Sequence, residues 1–208
     1  MLRIVWCLVL GLLVAPLVAG ASLSADNQSP VIFATGWGET LSQDGTGFYN
    51  EIADDILQRA PGPEQYQIMP YQRAKVSFFA EPNSCLYPSS LSALVAAGQI
   101  EHAEHYIESV GLFTARAHLF VRAGQTPPKS FDDLAGKTIA YPNGSVVRSL
   151  LEGHGARLIS VNDEQDKAEM LISGRVDIIS GMIPATAIVF GNLGDEMPVY
   201  DPSLTLYE

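Results

Sequence analysis

Apolar positions along the chain switch between two periods, and the switches mark out the elements. Val31-Ile32-Phe33-Ala34 is a short apolar run closed by Gly36-Trp37-Gly38, which predicts a buried strand. Ser42 to Gly47 contains the Asp44-Gly45 pair and reads as a turn. A helix follows with Phe48, Ile52, Ile56 and Leu57 on one face. Its acids Glu51, Asp54 and Asp55 point to solvent, and Pro61-Gly62-Pro63 stops it. Tyr66 to Met69 predicts a second strand, Tyr71 to Phe79 a short helix, and Cys85 to Tyr87 a third strand. Leu91 to Tyr106 is the least periodic part, with helical spacing only at Leu91, Leu94 and Val95. Val110 to Val121 alternates as extended chain, and Ala123 to Pro128 has the composition of a linker.

Beyond the linker the alternation restarts. Ser130 and Asp133 predict a capped helical turn ended by Gly136, before a strand at Thr138 to Tyr141. Pro142-Asn143-Gly144 is a turn, and Ser145 is placed to cap a helix carrying Val147, Leu150 and Leu151 inward. A strand at Leu158 to Val161 leads into a helix over Asp163 to Ile172, with Ala168, Leu171 and Ile172 facing in and Gly174 at its end. Val176 to Ile179 is one more strand, and Pro184 opens a last helix through Phe190. Two blocks of alternating strands and helices argue an α/β fold with parallel strands in two lobes.

The chain has 208 residues, and its start changes that picture. Met1 to Ala21 holds one early cation, Arg3, an apolar run from Ile4 to Val18, and a small-residue close at Ala19-Gly20-Ala21. This predicts a cleavable secretory signal peptide, with a retained membrane anchor as the rival reading. Without Arg3 the remainder has 11 basic against 23 acidic residues, a net charge of −12. Such a surface repels nucleic acid and anionic membranes. Cys85 is then the single cysteine, which excludes an internal disulfide and predicts a buried thiol.

The turn at Asn143, Gly144 and Ser145 lies at the carboxyl end of a strand, where open α/β sheets bind ligands. Gly144 lets a ligand approach the backbone, and the amides opening the next helix suit an anionic group. An ordinary turn and cap is the plainer alternative. No acid–base pair or metal cluster accompanies this corner. Glu101, His102, Glu104 and His105 read as a solvated charged face, and Ser180-Gly181 lacks a nucleophile-elbow pattern.

Three stretches together resemble the periplasmic solute-binding proteins of family 3, the receptors of ABC transporters. "GTGFYNEIADDIL" is similar to their first-lobe helix, "SFDDLAGKTIAYPNGS" to their second-lobe entry, and "AEMLISGRVDIISGM" to a later second-lobe stretch. The resemblance runs from Val31 to the C-terminus. It implies a two-lobed, type II periplasmic-binding-protein fold that closes on a small solute without converting it, so no cofactor, metal or catalytic residue is expected. It implies ligand contacts from Trp37, Arg73, Ser89, Ser90, Asn143, Gly144 and Ser145. It also implies a periplasmic monomer whose partners are a small-molecule solute and an ABC permease or membrane sensor, with no nucleic acid.

Two departures qualify the substrate. The stretch after the third strand, "SSLSALVAAGQIEHAEHY", has no Arg or Lys to clamp a carboxylate. Met182 stands where the family places an acid for the ligand's amino group. Another small polar or aromatic solute is therefore expected in place of a standard α-amino acid. The expected organisation is a signal peptide at 1–21, a lead-in at 22–30, lobe 1 with a hinge strand at 31–122, a linker at 123–129, lobe 2 at 130–200, and the start of a truncated return crossing at 201–208. That layout leaves the first lobe incomplete at its C-terminus. The alternatives are a degenerate or sensor-type binding module and a dehydratase-like enzyme on the same fold.

Overall fold

The computed structural model describes residues 30–59, 66–111 and 114–207. The expected signal peptide, the Pro61-Gly62-Pro63 stop and Leu112-Phe113 lie outside them. Lobe 1 is built on a parallel sheet of three strands, β1 (Val31–Gly36), β2 (Tyr66–Pro70) and β3 (Ser84–Tyr87), in the order β2-β1-β3. Between them run α1 (Phe48–Arg59) and α2 (Tyr71–Ala80), and α3 (Leu91–Ala96) follows. Ala34, Leu41 and Tyr49 form the buried centre of this lobe.

Lobe 2 holds a five-stranded sheet of β4 (Arg116–Val121), β5 (Thr138–Pro142), β6 (Arg157–Val161), β7 (Ile178–Ile183) and β8 (Val199–Tyr207), ordered β6-β5-β7-β4-β8. β5, β6 and β7 are mutually parallel, whereas β4 runs antiparallel to both β7 and β8. Its helices are α4 (Val147–Leu151), α5 (Glu164–Ile172) and α6 (Ala185–Leu193). Both faces of the sheet are covered, so strand residues alternate between two cores. Leu119, Val121, Ile139, Tyr141 and Ile178 pack with α4, while Phe120, Ala140 and Ile179 pack with α5 and α6.

Several sequence expectations need correction. α1 buries Tyr49, Asn50 and Ala53, one step round from the predicted face, and leaves Phe48, Ile52, Ile56 and Leu57 half-buried. The cause is polar: Asn50 accepts from the Ser42 amide at 2.9 Å and donates to the Ser42 carbonyl and the Tyr66 hydroxyl, each at 3.1 Å. A hydrophobic pattern does not register a buried amide that ties a turn to a strand. Ile172 is 37% exposed at the end of α5, and its inward place is taken by Lys167. The extended chain before the linker becomes a strand only from Arg116, and the strand predicted at Val176 begins at Ile178. Cys85 is exposed on β3, which among the described residues is an edge strand paired with β1. Ser130 and Asp133 do form a capping box, and the Asp133 carboxylate accepts from the Lys129 and Ser130 amides at 2.9 and 3.0 Å.

Candidate functional site

The lobes meet along one side. The turn Gly38–Thr40 after β1 packs on α5 and α6, and Ala185 joins the lobe 1 core. Asn192 of α6 donates to the Glu39 carboxylate at 2.8 Å. Lys75 of α2 is buried and donates to the Gln99 side chain at 2.9 Å and to the Gly144 carbonyl across the gap. Burial lowers its pKa to about 8, because the charged ammonium loses water. Gly144 has φ +81°, and the Gln72 side chain from lobe 1 lies where a Cβ would stand. The Asn-Gly-Ser corner thus faces the opposite lobe, and α2 packs directly against it.

Beside this contact lies a cavity of about 420 Å³ between the lobes. Trp37, Tyr49, Tyr71, Tyr87 and Tyr207 supply its aromatic lining. Trp37 follows β1, stacks on Tyr71 with centroids 6.3 Å apart at 15°, and meets Tyr49 edge-on at 5.0 Å. The Tyr87 hydroxyl donates to the Tyr49 carbonyl at 2.8 Å, which fixes one wall. Burial pushes the Tyr49 and Tyr71 phenols up to about 12, and burial beside Tyr71, Glu164 and Tyr49 raises Tyr207 further. All these phenols are neutral donors at physiological pH.

The sequence-derived candidates separate into groups. Trp37, Ser89 and Ser90 line the cavity, and the Ser90 side chain also caps α3 by accepting from the Ala93 amide at 3.4 Å. Ser145 lines a smaller cavity of about 30 Å³ that shares Trp37, Tyr71, Met182 and Tyr207 with the larger one. It does not cap α4 as expected: Val146 takes the cap position, and among the described residues no side chain caps the helix and the buried Ser145 hydroxyl has no hydrogen-bond partner. Asn143 donates to Asn162 at 3.1 Å on the surface, and Gly144 is covered by α2. Arg73 is exposed on α2 and lines neither cavity.

Several lining groups were not among the sequence-derived candidates, and three of them carry the polar chemistry of the smaller cavity. Glu164 and Lys167 sit one turn apart on α5, and the Lys167 ammonium lies 2.7 and 2.6 Å from the two Glu164 carboxylate oxygens. Lys167 is 1% exposed and Glu164 13%. Ser180 on β7 is the third, and its hydroxyl also has no partner among the described residues. The available signal was the i,i+3 pairing of Glu164 with Lys167 beside the inward Ala168. Among the described residues no group of three or more His, Cys, Asp or Glu side chains is placed to hold a metal ion, and no helix is long and apolar enough to cross a membrane. His102 lies 3.1 Å from Glu104 on the exposed surface.

No family model and no curated protein matches the chain. Solved structures do. An ancestral arginine-binding protein bound to arginine has a TM-score of 0.63 at 15% identity, over 83% of this chain and 77% of that one. The arginine-bound form of a truncated ArgBP from T. maritima has a TM-score of 0.59 at 17% identity, over 82% and 80%. An ancestral amino acid-binding protein, a precursor of cyclohexadienyl dehydratase, has a TM-score of 0.60 at 14% identity, over 82% and 75%. At such identities the shared property is the two-lobed solute-binding fold.

Proposed function

We propose that this protein binds a small polar solute between its lobes, outside the cytoplasm and as a monomer, and passes it unchanged to an ABC-type membrane permease. One observation carries the reading: the 420 Å³ interlobe cavity is lined by aromatic side chains together with Ser89 and Ser90. A concave site with a stacking surface and a few aimed polar groups is what small-solute recognition requires. The bound arginine in two of the neighbours supports a solute of similar size. Delivery to a permease rests on the three sequence stretches that resemble transport receptors.

Trp37 supplies the stacking face and Ser89 and Ser90 the polar contacts. Closure of the lobes removes both from water, which strengthens each contact. Thermal-shift screening of the protein against amino acids, organic acids, sugars and alcohols tests the reading, because a ligand of the native state raises the melting temperature with occupancy. At least one class raises it, and Trp37→Ala weakens that ligand about tenfold, the scale of one lost aromatic contact. A flat panel on folded protein refutes solute binding. Conversion of the bound compound by the purified protein refutes the claim that it is left unchanged.

A further inference from the structure

The small cavity under the aromatic floor has a composition that neither the fold nor the proposed function accounts for. Its polar walls are the Ser145 and Ser180 hydroxyls and the Lys167–Glu164 pair. Ser145 and Ser180 are both more than nine-tenths buried, and among the described residues neither hydroxyl has a hydrogen-bond partner. A buried hydroxyl left unpaired costs about 1–3 kcal/mol. Two of them on one cavity, one from the turn after β5 and one from β7, converge on the same space. The approach is tight: on β7 the residue after Ser180 is Gly181, and the Thr186 hydroxyl of α6 stands where its Cβ would be.

The charges say what fits. Among the described residues the charged side chains lining the two cavities are Glu108, Glu164 and Lys167. Glu108 accepts from the Leu91 amide at 2.8 Å, and Lys167 and Glu164 neutralise each other. A guest carrying net charge would be buried with no free opposite charge, a penalty of several kcal/mol. A zwitterionic amino-acid head would find Lys167 and Glu164 already paired with each other, so its charges would gain less there than beside unpaired partners. It would also need room for an ammonium and a carboxylate, whereas 30 Å³ holds about two water-sized groups. A hydroxyl meets neither obstacle. Its oxygen accepts from a serine or from a Lys167 N–H, and its proton goes to the other serine or to Glu164.

We infer that Ser145, Ser180 and the Lys167–Glu164 pair form a head-group subsite, and that the solute is an uncharged, hydroxyl-bearing molecule such as a sugar or an alcohol. Its hydroxyl enters the small cavity between Tyr71, Met182 and Tyr207, while its body rests on Trp37 in the larger one. This rests on the reading that the interlobe cavity holds a solute.

The test uses sets matched in shape and differing in charge: glucose, glucosamine and glucuronate, and 2-phenylethanol, phenethylamine and phenylacetate, with arginine and alanine alongside. Affinities are measured by calorimetry on the wild type, Ser180→Ala and Ser145→Ala. The neutral member of at least one set binds at least tenfold more tightly than its charged partners and than the amino acids. Either serine variant weakens it at least tenfold, while the melting temperature of the ligand-free protein holds or rises, since an unpaired buried hydroxyl has been removed. A charged member or an amino acid binding best overturns the inference and leaves solute binding standing. Unchanged affinity for the neutral compound in both variants overturns the subsite and makes the small cavity a place for ordered water. Binding of none of the compounds overturns the inference, and extension of the flat response to the wider thermal-shift panel removes solute binding with it.

Discussion

Lys75 illustrates how one residue's surroundings outweigh its type. It is a lysine on a short helix, yet it is buried between the lobes with its ammonium on the Gly144 carbonyl and 5.0 Å above the Tyr71 ring. Its pKa falls from 10.5 to about 8 because burial penalises the charge. Below pH 8 both folded and unfolded chains hold the proton, so this group's contribution to stability is constant there. Between pH 8 and 10.5 the unfolded chain keeps the proton and the folded chain releases it, so stability rises with pH. The unfolding free energy of the wild type minus that of Lys75→Met is accordingly flat from pH 6 to 7.5. It then climbs to pH 9.5, by less than the one-proton limit of about 1.4 kcal/mol per pH unit. The tyrosines are common to both proteins and cancel. Urea titrations at four pH values read this directly, and a level difference throughout would mean that Lys75 keeps its proton in the fold.

At the scale of elements, hydrophobic period located nearly every helix and strand and misjudged which face some of them bury. α5 is the clearest case. Its start was legible because Asp163 precedes the periodic run, and in the fold the Asp163 carboxylate accepts from the Gln165 and Asp166 amides at 2.7 and 3.3 Å. Its inner face was only half legible, since lysine is ordinarily a solvent residue and only a paired carboxylate lets it be buried. The cap holds the turn that carries Glu164 and Lys167, so Asp163→Ala costs about 1 kcal/mol in chemical denaturation. Solute affinity falls as well, because the charge pair loses its anchor. Full stability in that variant would show that the Lys167–Glu164 bond alone fixes the turn. The β7 serine was missed for another reason: a hydroxyl inside an apolar strand has no periodic signature, and only its cavity gives it a role.

On the scale of the whole molecule, the two lobes are held by a few polar bridges around a shared apolar seam. Glu39 to Asn192 and Lys75 to Gly144 are two such bridges among the described residues, and Ala185 clusters with Leu41 and Tyr49 in the seam. The double variant Glu39→Ala, Lys75→Met removes both bridges, so its radius of gyration in X-ray scattering exceeds that of the wild type, and saturating solute restores the wild-type value. An equal value in the two ligand-free proteins would place lobe separation in the seam alone. The sequence by itself determined the α/β alternation, the two-lobed order and the turn at Asn143 to Ser145, because these follow from periods and caps spanning a few residues. Tertiary structure alone decided which groups share a cavity. Trp37, Tyr71, Ser145, Lys167, Ser180 and Tyr207 come from separate elements, and no local pattern records which faces will meet. It also decided that Lys167 is buried and neutralised, since that balance is struck between desolvation and a partner only when the helix has docked.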